Sequence, residues 1–102
     1  RVYCVFQSHT YSRTHELFDG FASSLSLADR VVVADIYAAR ETNVSGVTPQ
    51  RLAAAIGEKA VYGGPFEAIA KRVEEEISEN DLLVIMGAGD ICKIEDMMDI
   101  RK

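Results

Sequence analysis

The stretch Phe6-Gln7-Ser8-His9-Thr10-Tyr11-Ser12-Arg13-Thr14 gathers a histidine, an arginine and several hydroxyls into one short polar segment. It follows Val2-Tyr3-Cys4-Val5-Phe6, which reads as a strand. It precedes Leu17, Phe18, Phe21 and Leu25, which recur at helical spacing. A polar loop leading from a strand into a helix is where α/β domains commonly place a ligand. Cationic side chains in a first helical turn are unfavourable by a few tenths of a kcal/mol each, about 0.3 or more. Arg13, with His15, therefore implies an anion near this helix start. The same residues also read as an ordinary surface loop, with Ser12 or Thr14 as helix cap, His9 incidental and Arg13 solvated.

A second polar group, Asp35, Tyr37, Arg40 and Glu41, falls at the end of the run Val31-Val32-Val33-Ala34-Asp35-Ile36-Tyr37. If both strands are parallel, this group emerges at the same sheet edge as the first loop. A third feature is Gly87-Ala88-Gly89-Asp90 after an apolar strand. A dinucleotide fingerprint would need a glycine at position 92, which is Cys92, and an acidic residue about 20 positions further on. The glycines then read either as a tight turn allowing close packing or as backbone N–H groups of Gly87 and Gly89 facing an anion. His15-Glu16 does not extend to a zinc motif, because the second histidine would fall at Asp19. No GxxxxGK[ST] loop occurs, and two histidines do not define a catalytic triad, so no catalytic or metal-ligating residue is assigned.

The elements that must position these residues follow from periodicity. A helix is expected from Arg13 or Thr14 to about Leu27. The β-branched run ending at Tyr37 has the character of a strand buried on both faces, as in parallel sheets. The polar segment from Ala38 to Val47 is long for a loop in a compact domain, and such loops are often functional. Thr48-Pro49 is a helix start, with threonine as N-cap and proline at the first helical position, and Gly57 is a stop. Ala60-Val61-Tyr62 is a brief strand. Phe66, Ile69, Ala70, Val73 and Ile77 then form the clearest amphipathic pattern, with Glu74-Glu75-Glu76 on the solvated side. That helix is expected to reach Asn80-Asp81. Leu82-Leu83-Val84-Ile85-Met86 is a second apolar strand, and Ile91, Ile94 and Met98 mark a last helix. The β-α-β-α-β-α-β-α order predicts an α/β fold, a parallel sheet flanked by helices on both sides.

The 102 residues amount to one domain with 48% hydrophobic and 26% charged residues, ordinary for a globular protein. A net charge of −5 argues against nucleic-acid or anionic-membrane partners. No apolar run approaches the roughly 20 residues needed to span a bilayer. Cys4 and Cys92 carry no metal-site spacing and read as small apolar residues of a reducing compartment, so a cytoplasmic location is expected. Arg1 leading directly into a strand suggests that residues precede it in a longer protein.

The motifs in order resemble a known family. Val5-Phe6-Gln7-Ser8-His9-Thr10-Tyr11-Ser12-Arg13-Thr14 is similar to the FQPHRYSRT stretch of the alanine-adding branch of the Mur ligases of peptidoglycan synthesis. Leu17-Phe18-Asp19 with Phe21 resembles that branch's DLFDDF, and Asp35-Ile36-Tyr37-Ala38-Ala39-Arg40-Glu41 its DVYxAxE. Val47-Thr48 and Met86-Gly87-Ala88-Gly89-Asp90-Ile91 continue the likeness. The resemblance implies a Rossmann-like three-layer domain, the C-terminal one of three, truncated at its N-terminal edge. In the family the N-terminal domain binds the UDP-sugar and the central domain binds ATP. A DDYGHHP segment just upstream also contributes to the site. The resemblance implies L-alanine and UDP-N-acetylmuramate as substrates, ATP and magnesium bound mainly outside this chain, and an acyl-phosphate intermediate. His9 and Arg13 match residues that contact amino-acid substrate and product, with Thr10 beside them. There are two departures from the pattern. Ser8 stands for proline, which would loosen the loop. Thr10 stands for arginine, so its anion contact passes to a neutral hydrogen bond or to Arg40. The alternatives are a stand-alone small-ligand-binding α/β domain, or a sibling ligase that attaches a tripeptide.

Overall fold

The structure, a computed structural model, describes residues 1–87 and 90–98. Four strands form one sheet: β1 (Val2–Gln7), β2 (Arg30–Ala34), β3 (Ala60–Gly64) and β4 (Leu82–Gly87). Their order is β3-β2-β1-β4 and every pairing is parallel. The helices are α1 (Tyr11–Glu16), α2 (Phe18–Leu25), α3 (Pro49–Ile56), α4 (Phe66–Glu76) and α5 (Ile94–Met97), the last preceded by a 3-10 turn over Asp90–Lys93. None of the described helices is long and apolar enough to cross a membrane.

Alternation along the strands divides the core into two layers, as a parallel sheet covered on both sides requires. Cys4, Phe6, Val31 and Val33 face α2 and α3, meeting Leu25, Leu52, Ala53 and Ile56. Tyr3, Val5, Val32 and Ala34 face α4 and α5, meeting Ile69, Ala70, Val73 and Ile94. The α4 helix lies so close to the sheet that a Cβ on Gly63 would stand 2.5 Å from Val32 and 2.6 Å from Ile69. This is a three-layer α/β sandwich, as the sequence pattern predicts.

Four details differ from the sequence reading. The expected first helix is two helices that meet at Leu17, whose backbone leaves helical values at φ −104° and ψ 15°. The second strand ends at Ala34 rather than Tyr37, although Tyr37 forms an isolated parallel bridge with His9. The α4 helix stops at Glu76, because Ile77 turns extended at ψ 143°. Finally, the apolar β4 lies at the sheet edge, with Leu82 62% and Met86 42% exposed.

Candidate functional site

The chain runs from β1 to β2 on one side, while β4 flanks β1 on the other. Carboxyl ends of strands at such a reversal are where doubly wound sheets open a crevice. The loop after β1 emerges there. Gly87 pairs with Gln7 at the same edge. Its φ is +149°, and a Cβ there would lie 2.5 Å from the Gln7 carbonyl oxygen, so only glycine lets the two strand ends approach this closely.

The two polar groups read from the sequence come together. The Tyr37 N–H donates to the Ser8 carbonyl at 2.9 Å and the Thr10 N–H donates to the Tyr37 carbonyl at 2.7 Å. This bridge carries β1 and β2 past their formal ends and stacks the rings of His9 and Tyr37, with centroids 5.6 Å apart and planes 14° apart. Stacking fixes the imidazole at the edge while leaving it half-buried.

The start of α1 is built from several residues. Thr10 is the N-cap: its hydroxyl accepts from the Arg13 N–H at 3.3 Å. Ser12 and Thr14, the two caps considered from sequence, do other things. Thr10 has φ 63° and ψ 149°, a region costly for a β-branched residue. The Thr14 hydroxyl donates to the Thr10 carbonyl at 2.6 Å and is also hydrogen-bonded to the Ser8 hydroxyl. Ser8 and Thr14 are 2% and 0% exposed. Ser8, expected to loosen the loop in place of proline, instead ties it to α1.

A carboxylate from within the chain meets the backbone at the start of α1. Glu41 accepts from the Ser12 N–H at 3.0 Å and from the Ser12 hydroxyl at 2.6 Å. These bonds, the hydroxyl foremost, hold the Glu41 carboxyl below its ordinary pKa. Asp35 is engaged as well, its carboxylate accepting from the Tyr62 hydroxyl at 2.6 Å. The cations are not engaged. Arg13 and Arg40 are exposed, and neither guanidinium has a carboxylate partner among the described residues. Arg40 also has a left-handed φ of 73°. An open groove between α1 and the loop at 38–47 is lined by Tyr11, His15, Thr42 and Val44.

Sequence reasoning passed over Gln7. It is 5% exposed, its Nε2 donates to the Asp35 carbonyl at 3.0 Å, and its Oε1 has no partner among the described residues. An amide at the end of an otherwise apolar strand was the available signal. Gly89, offered from sequence as a second-tier position, lies outside the described residues, as does Ala88. Among the described residues no group of three or more His, Cys, Asp or Glu converges as a metal would require.

Comparison with known proteins adds to this geometry. Residues 1–89 match the family model described as "Mur ligase, glutamate ligase domain". A UDP-N-acetylmuramate–L-alanine ligase of Lachnospira eligens is 50% identical over 102 residues, covering 96% of this chain and 22% of that protein. The enzyme of the same description from Clostridium acetobutylicum is 44% identical over 100 residues, covering 95% of this chain and 22% of that protein. The one from Alkaliphilus metalliredigens is 44% identical over 104 residues, covering all of this chain and 23% of that protein. The chain thus spans less than a quarter of the length of these curated relatives.

Proposed function

The chain belongs to the Mur ligase family and matches its C-terminal domain, and from that premise we propose that it serves the ligation of L-alanine to UDP-N-acetylmuramate in peptidoglycan synthesis. On this reading residues 1–102 are the amino-acid-binding domain of a larger enzyme, in keeping with the 22% of the relative's length that the match covers. A reaction that draws on ATP and a nucleotide-linked sugar supports a cytoplasmic location.

One observation carries the assignment of the site. At the carboxyl edge of the sheet the nearby carboxylates are already hydrogen-bonded within the chain, Glu41 to Ser12 and Asp35 to Tyr62, while Arg13 and Arg40 are left without one. An unpaired arginine at the start of the helix that follows a stacked imidazole suits a small carboxylate. Arg13 grips the carboxylate of alanine through two parallel N–H donors. His9, held by Tyr37, donates to the oxygen on which charge develops as the amine attacks. Thr10 uses its backbone N–H on Tyr37, and its hydroxyl oxygen accepts the Arg13 N–H at the start of α1, which leaves the hydroxyl proton to donate. Thr10 thus shapes the turn and keeps one neutral donor, and Arg40 supplies the second cation that the family's arginine would have given.

When bound, mainly outside this chain, ATP with magnesium would supply a phosphoryl group to the muramoyl carboxylate with release of ADP, and the amine of alanine would then displace phosphate. The residues described here orient the amine. Holding two reactants in line is worth up to about 7 kcal/mol or more, so such a domain is essential without contributing a base.

The test is substrate competition in the full-length protein, read as phosphate release in the presence of ATP and UDP-N-acetylmuramate. Turnover with L-alanine and none with a tripeptide is expected. Preference for the tripeptide would assign the sibling activity, and no ATP-dependent turnover with either would leave a binding module instead.

A further inference from the structure

Among the described residues, three that are not glycine have left-handed φ: Thr10 at 63°, Ala39 at 50° and Arg40 at 73°. Such conformations are costly for a residue with a Cβ and persist only where neighbouring contacts hold them. Thr10 lies in the turn into α1, and Ala39 and Arg40 lie in the turn that follows Tyr37. The Thr10 turn is held by the Thr14 hydroxyl and by the bridge to Tyr37. The Ala39–Arg40 turn is closed by the Glu41 N–H, which donates to the Ala38 carbonyl at 3.0 Å. Its other support is the Glu41 carboxylate on Ser12.

Both ends of the segment around this turn are fixed. At the near end Tyr37 exchanges backbone hydrogen bonds with Ser8 and Thr10. At the far end Val47 is 4% exposed, and the Asn43 amide donates to the Val47 carbonyl at 2.7 Å and accepts from the Gly46 N–H at 3.0 Å. Between these ends, among the described residues, the hydrogen bonds that tie the span to α1 come from Glu41 alone. Its two oxygens take different donors, the Ser12 N–H and the Ser12 hydroxyl, so the contact fixes orientation as well as distance. Arg40 is the residue before Glu41, and Arg13 is the residue after Ser12. The contact thus joins loop and helix one residue away from each of two arginines that have no carboxylate partner among the described residues. Capping alone does not account for it. Thr10 already serves as N-cap, and Ser12 is exposed, so water would satisfy its N–H as well. What Glu41 adds is the tie between the helix and the strained turn that carries Arg40.

We propose that Glu41 is a positioning residue: by clasping Ser12 it holds the left-handed Ala39–Arg40 turn against the start of α1 and presents Arg40 to the same small carboxylate that Arg13 receives. Glu41 does not itself touch the amino acid. The inference rests on the alanine-binding reading above and deepens it, since it says what keeps Arg40 in place as the second cation.

The experiment is a cycle of Glu41→Ala, Arg40→Ala and the double variant in the full-length enzyme, with Glu41→Gln as the conservative variant. Steady-state kinetics are read at varied L-alanine. Both residues lie outside the two core layers, so the variants should fold. A glutamine keeps both contacts, its carbonyl accepting from the Ser12 N–H and its NH2 donating to the Ser12 oxygen. Arg40→Ala should raise the KM for alanine about 10-fold, the lower end of what a hydrogen bond to a charged group is worth. Glu41→Ala should raise it by a similar factor, with kcat changed less than about twofold and the KM for ATP unchanged. In the Arg40→Ala background Glu41→Ala should add nothing, and Glu41→Gln should stay within about twofold of the parent. A Glu41 that only caps the helix would lower stability and leave the KM for alanine unchanged. That result overturns the proposal, as does a Glu41→Ala effect undiminished in the Arg40→Ala background, or a glutamine variant as impaired as the alanine one. Arg13→Ala is measured alongside. A raised KM in Arg13→Ala with none in the other two removes the positioning role only, and no change in any of the three removes the amino-acid site with it.

Discussion

Replacing Thr14 with valine tests whether the loop carrying His9 is held by the hydroxyl pair beneath it. Valine has nearly the same shape, so no cavity opens in a site that is 0% exposed. What is lost is the bond to the Thr10 carbonyl at 2.6 Å and the bond to Ser8. Two such bonds are worth about 1 kcal/mol each. The Ser8 hydroxyl, 2% exposed, is then stranded, at a further cost of about 1–2 kcal/mol. Thr14→Val should therefore destabilise the domain by about 3–4 kcal/mol. Ser8→Ala alone removes one bond and strands nothing, because the Thr14 hydroxyl keeps its carbonyl; about 1 kcal/mol is expected. In the double variant no hydroxyl is stranded, and the Thr10 carbonyl still accepts from the Thr14 N–H at 3.2 Å. The double should cost about 2 kcal/mol, some 2–3 less than the sum of the singles. Urea unfolding followed by circular dichroism measures all three. Strictly additive costs, or a Thr14→Val cost below about 0.5 kcal/mol, would refute the reasoning.

Two further outcomes follow from the same coordinates. Gly87→Ala puts a Cβ 2.5 Å from the Gln7 carbonyl at φ +149° and should cost about 2 kcal/mol or more. Gly20→Ala, inside α2 with nothing within 4 Å, should instead stabilise by about 1 kcal/mol, and urea midpoints for the pair give the contrast. The Asp81 carboxyl is held near pKa 2, below its ordinary 3.8, chiefly by hydrogen bonds from Arg1. A depressed carboxylate stabilises fully above its unfolded pKa and loses that contribution as pH falls toward the folded value. The stability advantage of the native chain over Asp81→Asn should therefore be constant above about pH 5 and shrink between pH 4 and pH 2. An advantage that does not change over that range would remove the pair from the acid response.

How far the sequence could be read depended on whether the determining contact was local. The α3 boundaries were legible because Thr48, Pro49 and Gly57 act on their own neighbours: the Thr48 hydroxyl accepts from the Arg51 N–H at 3.1 Å. The apolar face of α4 was legible from spacing alone, but its end was not, since Ile77 leaves the helix with the apolar pattern intact. The break between α1 and α2 was hidden in the same way, because Leu17 and Phe18 continue the pattern across it.

The site was harder to read for the same reason. Its residues were chosen from their types, and His9 and Tyr37 do meet. The role of Glu41 could not be seen, because the Ser12 it binds lies 29 positions earlier in the chain. A local rule looked for an anion at that helix start; a distant carboxylate reaches its backbone but leaves the Arg13 guanidinium without a carboxylate partner among the described residues. The buried Ser8–Thr14 pair was equally invisible, since two small hydroxyls in a polar loop look solvated. The edge position of β4 needed the sheet order, which an apolar run alone does not give.

The most direct test of the account is Arg13→Ala in the full-length enzyme, with steady-state kinetics at varied L-alanine. Arg13 is exposed and its guanidinium has no carboxylate partner among the described residues, so the variant should fold as stably as the parent. Loss of a charge-assisted pair worth about 1.5–3 kcal/mol predicts a fall in kcat/KM for alanine of about 10- to 100-fold. Most of that fall should appear as a raised KM for alanine, with the KM for ATP unchanged. A variant with parental kinetics for alanine would contradict the claim that this loop receives the amino acid.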